Sequence, residues 1–200
     1  MEYSNKKIPE YWINTFKVLP HDRKELISFL KRKNLDLSKS HYIMGRWENI
    51  YISLPYVPQV KKILQNAGKL ANQILNKKVV IPHRGLGYHS DEFWFNIAKP
   101  GQSTAWHDHK KGAVLSGVYY IDIPPLGGNI KFRSKKKKHE KEWTVKSITG
   151  QMILFPSELN HAVEENKGTR ERISMSFNFF SLPLSLTTNR DDYSAKKYYG

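Results

Sequence analysis

The sequence contains no cysteine. That excludes disulfides, zinc–cysteine sites, iron–sulfur clusters and cysteine nucleophiles. Long apolar runs are also lacking. The longest, Met152–Phe155, falls far short of the ~20 residues a membrane-spanning helix needs. The opening segment, Met1 to Lys7, has no apolar stretch behind it and does not read as a secretory signal. These absences predict a soluble, cytoplasmic protein with no membrane partner. Acidic residues are few: 18 Asp+Glu against 33 Lys+Arg, for a net charge of +15. Such a balance admits a phosphate-bearing partner, nucleic acid above all. Lysine outnumbers arginine 25 to 8, however, and the charge is spread from Lys6 to Lys197 with one dense run at Lys135–Lys138. Lysine is the less specific phosphate reader, so this distribution favours a solvated basic surface over a nucleic-acid site. The run itself reads as a solvent-exposed hairpin tip.

With 200 residues the chain is long enough to bury a core within one domain, 1–200. Asp22 and Glu25 form a capping-box pattern ahead of Leu26, Phe29 and Leu30, which predicts a helix over 22–33. Leu37–Ser40 reads as a turn and Tyr42–Ser53 as one strand. From Val60 to Leu75 apolar residues recur at helical spacing, giving a second helix over 58–76. The period then changes. Short strands are predicted at 79–81, 92–98, 112–123, 129–133, 142–148, 151–155, 161–165 and 172–180, separated by Gly and Pro turns. The segment 112–123 is apolar on both faces and should be central. Helices followed by many short strands argue a mainly β sandwich or barrel with the helices outside one sheet. Residues 1–90 would support the sheet, 91–180 form the core, and 181–200 be a tail.

Chemistry gathers at Trp106-His107-Asp108-His109. On an extended backbone His107 and His109 share a face and could share one metal ion, while Asp108 points the other way. His161 follows an apolar strand and a polar turn, so it can supply a third ligand. In a chain with eight histidines, exposed-strand histidines explain the pair equally well. Arg172, Ser174, Ser176 and Asn178 alternate with Ile173, Met175, Phe177 and Phe179. If the polar face points inward, it lines a cavity in which an Arg fork and a hydroxyl can hold a carboxylate. Trp94 and Asn96 share a face of the preceding strand and are candidate pocket residues. Arg46, Trp47 and Asn49 are candidates for a substrate lid.

Residues 92–180 resemble the 2-oxoglutarate and Fe(II)-dependent oxygenases, most of all a prolyl-hydroxylase-like branch with His-x-His in place of His-x-Asp. The resemblance is carried by Trp94, Asn96, Gly101, His107-Asp108-His109, Leu115 to Tyr120, Gly127 to Phe132, Gly150, Leu154-Phe155-Pro156, His161-Ala162-Val163 and Arg172-Ile173-Ser174. It implies a double-stranded β-helix (jelly-roll, cupin-like) and a dioxygenase that uses Fe(II), 2-oxoglutarate and O2 on an unidentified substrate. It places the metal ligands on His107, His109 and His161, and the 2-oxoglutarate carboxylate on Arg172, Ser174 and Tyr120. The departure at His109 leaves two alternatives: Asp108 binds in its stead, or the site is a non-catalytic remnant. A cupin-like binding protein and a basic nucleic-acid-associated protein are the rival functions.

Overall fold

The computed structural model describes residues 6–8, 11–15, 20–32, 37–43, 45–109, 112–136 and 139–182. In chain order the elements are β1 (Lys6–Ile8), β2 (Tyr11–Thr15), α1 (Pro20–Leu30), β3 (Ser38–Ile43), β4 (Arg46–Tyr51), α2 (Val60–Leu75), β5 (Val79–Val80) and β6 (Phe93–Ala98). There follow β7 (Thr104–His107), β8 (Ala113–Asp122), β9 (Ile130–Lys136), β10 (His139–Val145), β11 (Gln151–Phe155), β12 (Asn160–Val163) and β13 (Arg172–Ser181). The larger sheet runs β1-β2-β11-β8-β13-β6-β4-β3, with β5 against the end of β13. The smaller runs β10-β9-β12-β7. This is the double-stranded β-helix, with both helices on the outer face of the large sheet. β8 is central, as its two apolar faces predict.

Strand alternation sorts the residues into two layers. Ile173, Met175, Phe177 and Phe179 of β13 pack with Leu115, Tyr119 and Ile121 of β8. The helices cover them with Leu26, Val60, Ile63, Ala67 and Ala71. Each large side chain so buried is worth about 1.5–3 kcal/mol relative to exposure. The apolar stripe of α2 is thus spent on this sheet, and the helix stops at Asn76, a left-handed residue at φ +48°. A second cluster, with Val118, Tyr120, Ile130, Phe132, Ile153 and Phe155, joins the two sheets at one end. A cavity opens between the sheets beside it, lined in part by Val118, Tyr120, Ile130 and Phe155.

The strand expected over Tyr42–Ser53 is instead the end of β3, a reversal and all of β4 in one hairpin. β3 pairs with β4 from Ser38↔Tyr51 to Ile43↔Arg46, so Leu37–Ser40 is largely strand and not turn. Gly45, at φ +80°, supplies the backbone sign the tight connection requires. Three short strands, β1, β2 and β7, carry too few residues for a legible alternation. The basic run lies at the end of the β9–β10 hairpin, with β9 longer than expected: Lys135 and Lys136 belong to it, paired with Glu140 and His139, because cross-strand pairing continues past the apolar residues. Lys137 and Lys138 lie outside the described residues, as does most of the expected tail, 183–200.

Candidate metal centre and its pocket

One cross-strand pair and one pinned loop assemble the histidines. His107 on β7 pairs with His161 on β12. His109 lies two residues on, its backbone N–H donating to the Ser157 carbonyl at 2.8 Å. That bond ties the loop to the turn just before His161. The ligand nitrogens of the three rings all lie within 4.8 Å of one another. The ring of His107 is centred 4.1 Å from that of His161, and that of His109 5.2 Å from each. His107 Nδ1 is 2.9 Å from the Ala105 carbonyl, and His161 Nδ1 2.9 Å from the Leu159 carbonyl. A carbonyl can only accept, so both Nδ1 atoms carry the proton and both Nε2 atoms present a lone pair.

Burial holds all three imidazoles below their ordinary range. For His109 the value is about 3, with His107 and His41 adding to the effect. His161 also lies well below, its two neighbours adding to burial and the Leu159 carbonyl opposing. His107 is lowered by burial against the Ala105 carbonyl and Asp108. Neutral imidazoles with convergent lone pairs are the donor set of a borderline cation. Among the described residues the group includes no carboxylate, and Asp108 stands outside it.

The same cavity, about 240 Å³, is lined by Arg172, Ser174 and Tyr120. Arg172 is 4% exposed. Its Nη1 donates to the carbonyls of Gly127 and Glu164, both at 2.8 Å. It forms no ion pair among the described residues. Burial brings the cation down to about 10. The Tyr120 hydroxyl is buried and makes no hydrogen bond of normal geometry; burial pushes it up to about 12, with the neighbouring Ser147 hydroxyl and Arg172 opposing. A buried guanidinium without a carboxylate and an orphaned hydroxyl together call for an anionic oxygen ligand. Gly128 makes the cradle possible. At φ +85° it takes no Cβ, which would lie 2.5 Å from the Glu164 carbonyl and 2.8 Å from Arg172 Nη1.

Trp94 and Asn96 also line the cavity. Asn96 Nδ2 donates to the Glu48 carbonyl at 2.7 Å, and its Oδ1 accepts from Ser176 Oγ at 2.9 Å. It therefore fastens the hairpin to the core. Arg46 is buried, pairing with Glu48 at 2.9 Å and donating to the Ser103 carbonyl and Thr104 Oγ1. That makes it an anchor and not an exposed lid residue. Trp47 is exposed against Tyr42, and Asn49 lines the cavity. Sequence reasoning missed His41, Glu48, Tyr51 and Glu92, all of which line it too. His41 sits at φ +60°, its Nδ1 taking the Asn49 amide at 3.0 Å and lying 2.8 Å from Ser40 Oγ.

A jelly roll whose open end carries three histidines and a buried arginine offers a metal site and an anion site in one cavity. Residues 92–178 match the family described as "Putative 2OG-Fe(II) oxygenase". Over this segment, somewhat under half of its length, the chain is similar to the 2OG-Fe(II) oxygenases, an oxidoreductase class whose cofactors are Fe(II) and 2-oxoglutarate. Solved structures share the fold at low identity. AviO1 from Streptomyces viridochromogenes Tue57 has a TM-score of 0.64 at 11% identity, covering 88% of this chain and 91% of that one. A Pseudomonas putida prolyl-4-hydroxylase has a TM-score of 0.56 at 19% identity, covering 86% and 92%. The epimerase SnoN, in complex with Fe3+, alpha ketoglutarate and nogalamycin RO, has a TM-score of 0.62 at 11% identity, covering 86% and 79%. No curated protein matches the sequence. Among the described residues no helix is long and apolar enough to cross a membrane.

Proposed function

We propose that this chain is an Fe(II)- and 2-oxoglutarate-dependent dioxygenase that hydroxylates its substrate. In this reading His107, His109 and His161 hold the metal, while Arg172, Tyr120 and Ser174 hold the far carboxylate of 2-oxoglutarate. When bound, the pair supplies the oxidising chemistry: O2 converts 2-oxoglutarate to succinate and CO2, and one oxygen atom goes to the substrate. The chain's own residues bind and orient. The Ala105 and Leu159 carbonyls fix two imidazole tautomers. With its value near 12, Tyr120 stays protonated and offers its hydroxyl as a donor. Arg172, held by the Gly127 and Glu164 carbonyls, offers the rest of its fork to an anion. Three neutral imidazoles bring no negative charge, so the carboxylates of the co-substrate are left to offset the metal.

The observation that carries the reading is the pairing of these two incomplete sites in one cavity. Three lone pairs converge where a cation fits, and a buried guanidinium and an orphaned hydroxyl wait where an anion fits. The test is succinate production from 2-oxoglutarate with added Fe(II), in the parent and in Arg172→Ala. The reading expects succinate from the parent and none from the variant. Metal and 2-oxoglutarate binding without succinate would leave a cupin-like binding protein.

A further inference from the structure

The inward row of β13 continues past the groups assigned to the co-substrate. Ser176 and Asn178 follow Arg172 and Ser174, and the cross-strand register sets Asn96 beside Ser174 and Trp94 beside Ser176. Glu92 comes beside Asn178, whose N–H donates to the Glu92 carbonyl at 2.9 Å. At ~3.3 Å per residue, each row lies ~6.6 Å beyond the last, and Asn178 lies about 20 Å along the strand from Arg172. The Trp94 ring is centred 5.9 Å from that of His109 and 6.3 Å from that of Tyr51. Glu92 therefore sits one row beyond the tryptophan that borders the histidines, at the end of the cavity away from Arg172.

Its carboxyl is held but not neutralised. Asn178 Nδ2 donates to Glu92 Oε2 at 3.2 Å. Asn178 Oδ1 lies 2.8 Å from Ser116 Oγ, which is itself 3.0 Å from Ser157 Oγ. Among the described residues no cation pairs with Glu92, in a chain with 33 basic side chains to draw on. Enclosure raises this carboxyl to about 7, against the Asn178 bond and with Asp91 adding to the rise. A half-buried carboxylate that lines one cavity with Trp94 and Tyr51 is the recognition chemistry of an organic cation.

We propose that Glu92, with Trp94 and Tyr51, is the subsite for a protonated aliphatic amine carried by the primary substrate, placed one strand row beyond the metal centre. As a statement about which carbon meets the metal, this rests on the dioxygenase reading; as a statement about amine binding it does not. The amine end docks at Glu92, and a carbon a few bonds away lies over the histidines. The substrate class is thus an alkylamine, free or as a lysyl side chain.

The test is calorimetric titration of three isosteric probes, pentylamine, 1-pentanol and pentanoate, at matched ionic strength. Each is run on metal-free protein and on protein loaded with Fe(II) and 2-oxoglutarate under anaerobic conditions. Pentylamine is expected to bind at least about tenfold more tightly than the other two. Glu92→Gln, which keeps the shape and the Asn178 contact, should bring it down to the level of pentanol, and Glu92→Asp should restore part of the preference. On the loaded protein, where 2-oxoglutarate occupies the Arg172 end, equal affinities for the three probes or a preference for pentanoate would overturn the proposal, as would a pentylamine affinity untouched by Glu92→Gln in either form. Amine binding through Glu92 in a protein that never forms succinate would retire the dioxygenase reading and leave the subsite standing. Succinate formation without probe discrimination would do the reverse.

Discussion

At the residue scale, the site is defined by polar groups that lack a partner. Tyr120 is the clearest case. Removing its buried, orphaned hydroxyl costs the folded protein no hydrogen bond, so Tyr120→Phe should leave thermal stability unchanged or raise it slightly. The same variant should weaken 2-oxoglutarate binding by about tenfold to a hundredfold in calorimetry, one hydrogen bond to a charged group being worth about 1.5–3 kcal/mol. An unchanged affinity would remove Tyr120 from the co-substrate site. Glu92 gives a pH prediction. Its value rises from 4.5 to about 7 on folding, so between those values the folded state binds more protons than the unfolded one. Stability from this group therefore falls as pH rises through that window. Glu92→Gln should raise the melting temperature at pH 8 by a few degrees and change it little at pH 4, the difference being read by calorimetric scans at the two pH values. These residues differ in how legible they were. Arg172 and Ser174 stood out because polar and apolar residues alternate strictly through β13. Glu92 shares the face of Trp94 and Asn96 by the same rule, yet a carboxylate at a strand edge reads as solvated until the register brings Asn178 against it.

At the scale of elements, the β3–β4 hairpin is the part that sequence reading misjudged. Its aromatic and branched residues are strand-like throughout, and one glycine is a weak sign of reversal. Its attachment depends on Arg46 and Glu48, which bond to each other and, through Arg46, to the start of β7. Arg46→Met leaves Glu48 buried without its cation and should destabilise the protein by about 3–5 kcal/mol in denaturant titration. The double variant with Glu48→Leu should recover most of that loss. If the single and double variants are equally unstable, the pair is not what anchors the hairpin. The turn before β9 offers a second test. Gly128→Ala forces a Cβ against the Glu164 carbonyl and Arg172 Nη1, at a φ that favours glycine. It should lose 2-oxoglutarate affinity nearly as completely as Arg172→Ala while retaining metal, as read by paired calorimetric and metal-content measurements. The short strands β1, β2 and β7 escaped notice for a different reason. β2 and β7 are completed by partners far away in sequence, β11 and β12, and β1 rests on β2; their own residues carry too little pattern.

At the scale of the molecule, the layering was legible and the pocket's outer half was not. The helical stripe of α2 and the alternation in β8 and β13 each demand a particular neighbour, and the fold satisfies all of them at once. The three histidines could be nominated from spacing and from family resemblance. What brings them within 4.8 Å is the β7–β12 register and the Ser157 contact, both long-range pairings. The central claim is that His109, and not Asp108, completes the metal set. The direct measurement is iron retained after desalting by the parent, His109→Ala and Asp108→Ala, with circular dichroism confirming that each is folded. The account predicts that His109→Ala loses the metal while Asp108→Ala holds it as the parent does. Iron kept by His109→Ala and lost by Asp108→Ala would contradict it.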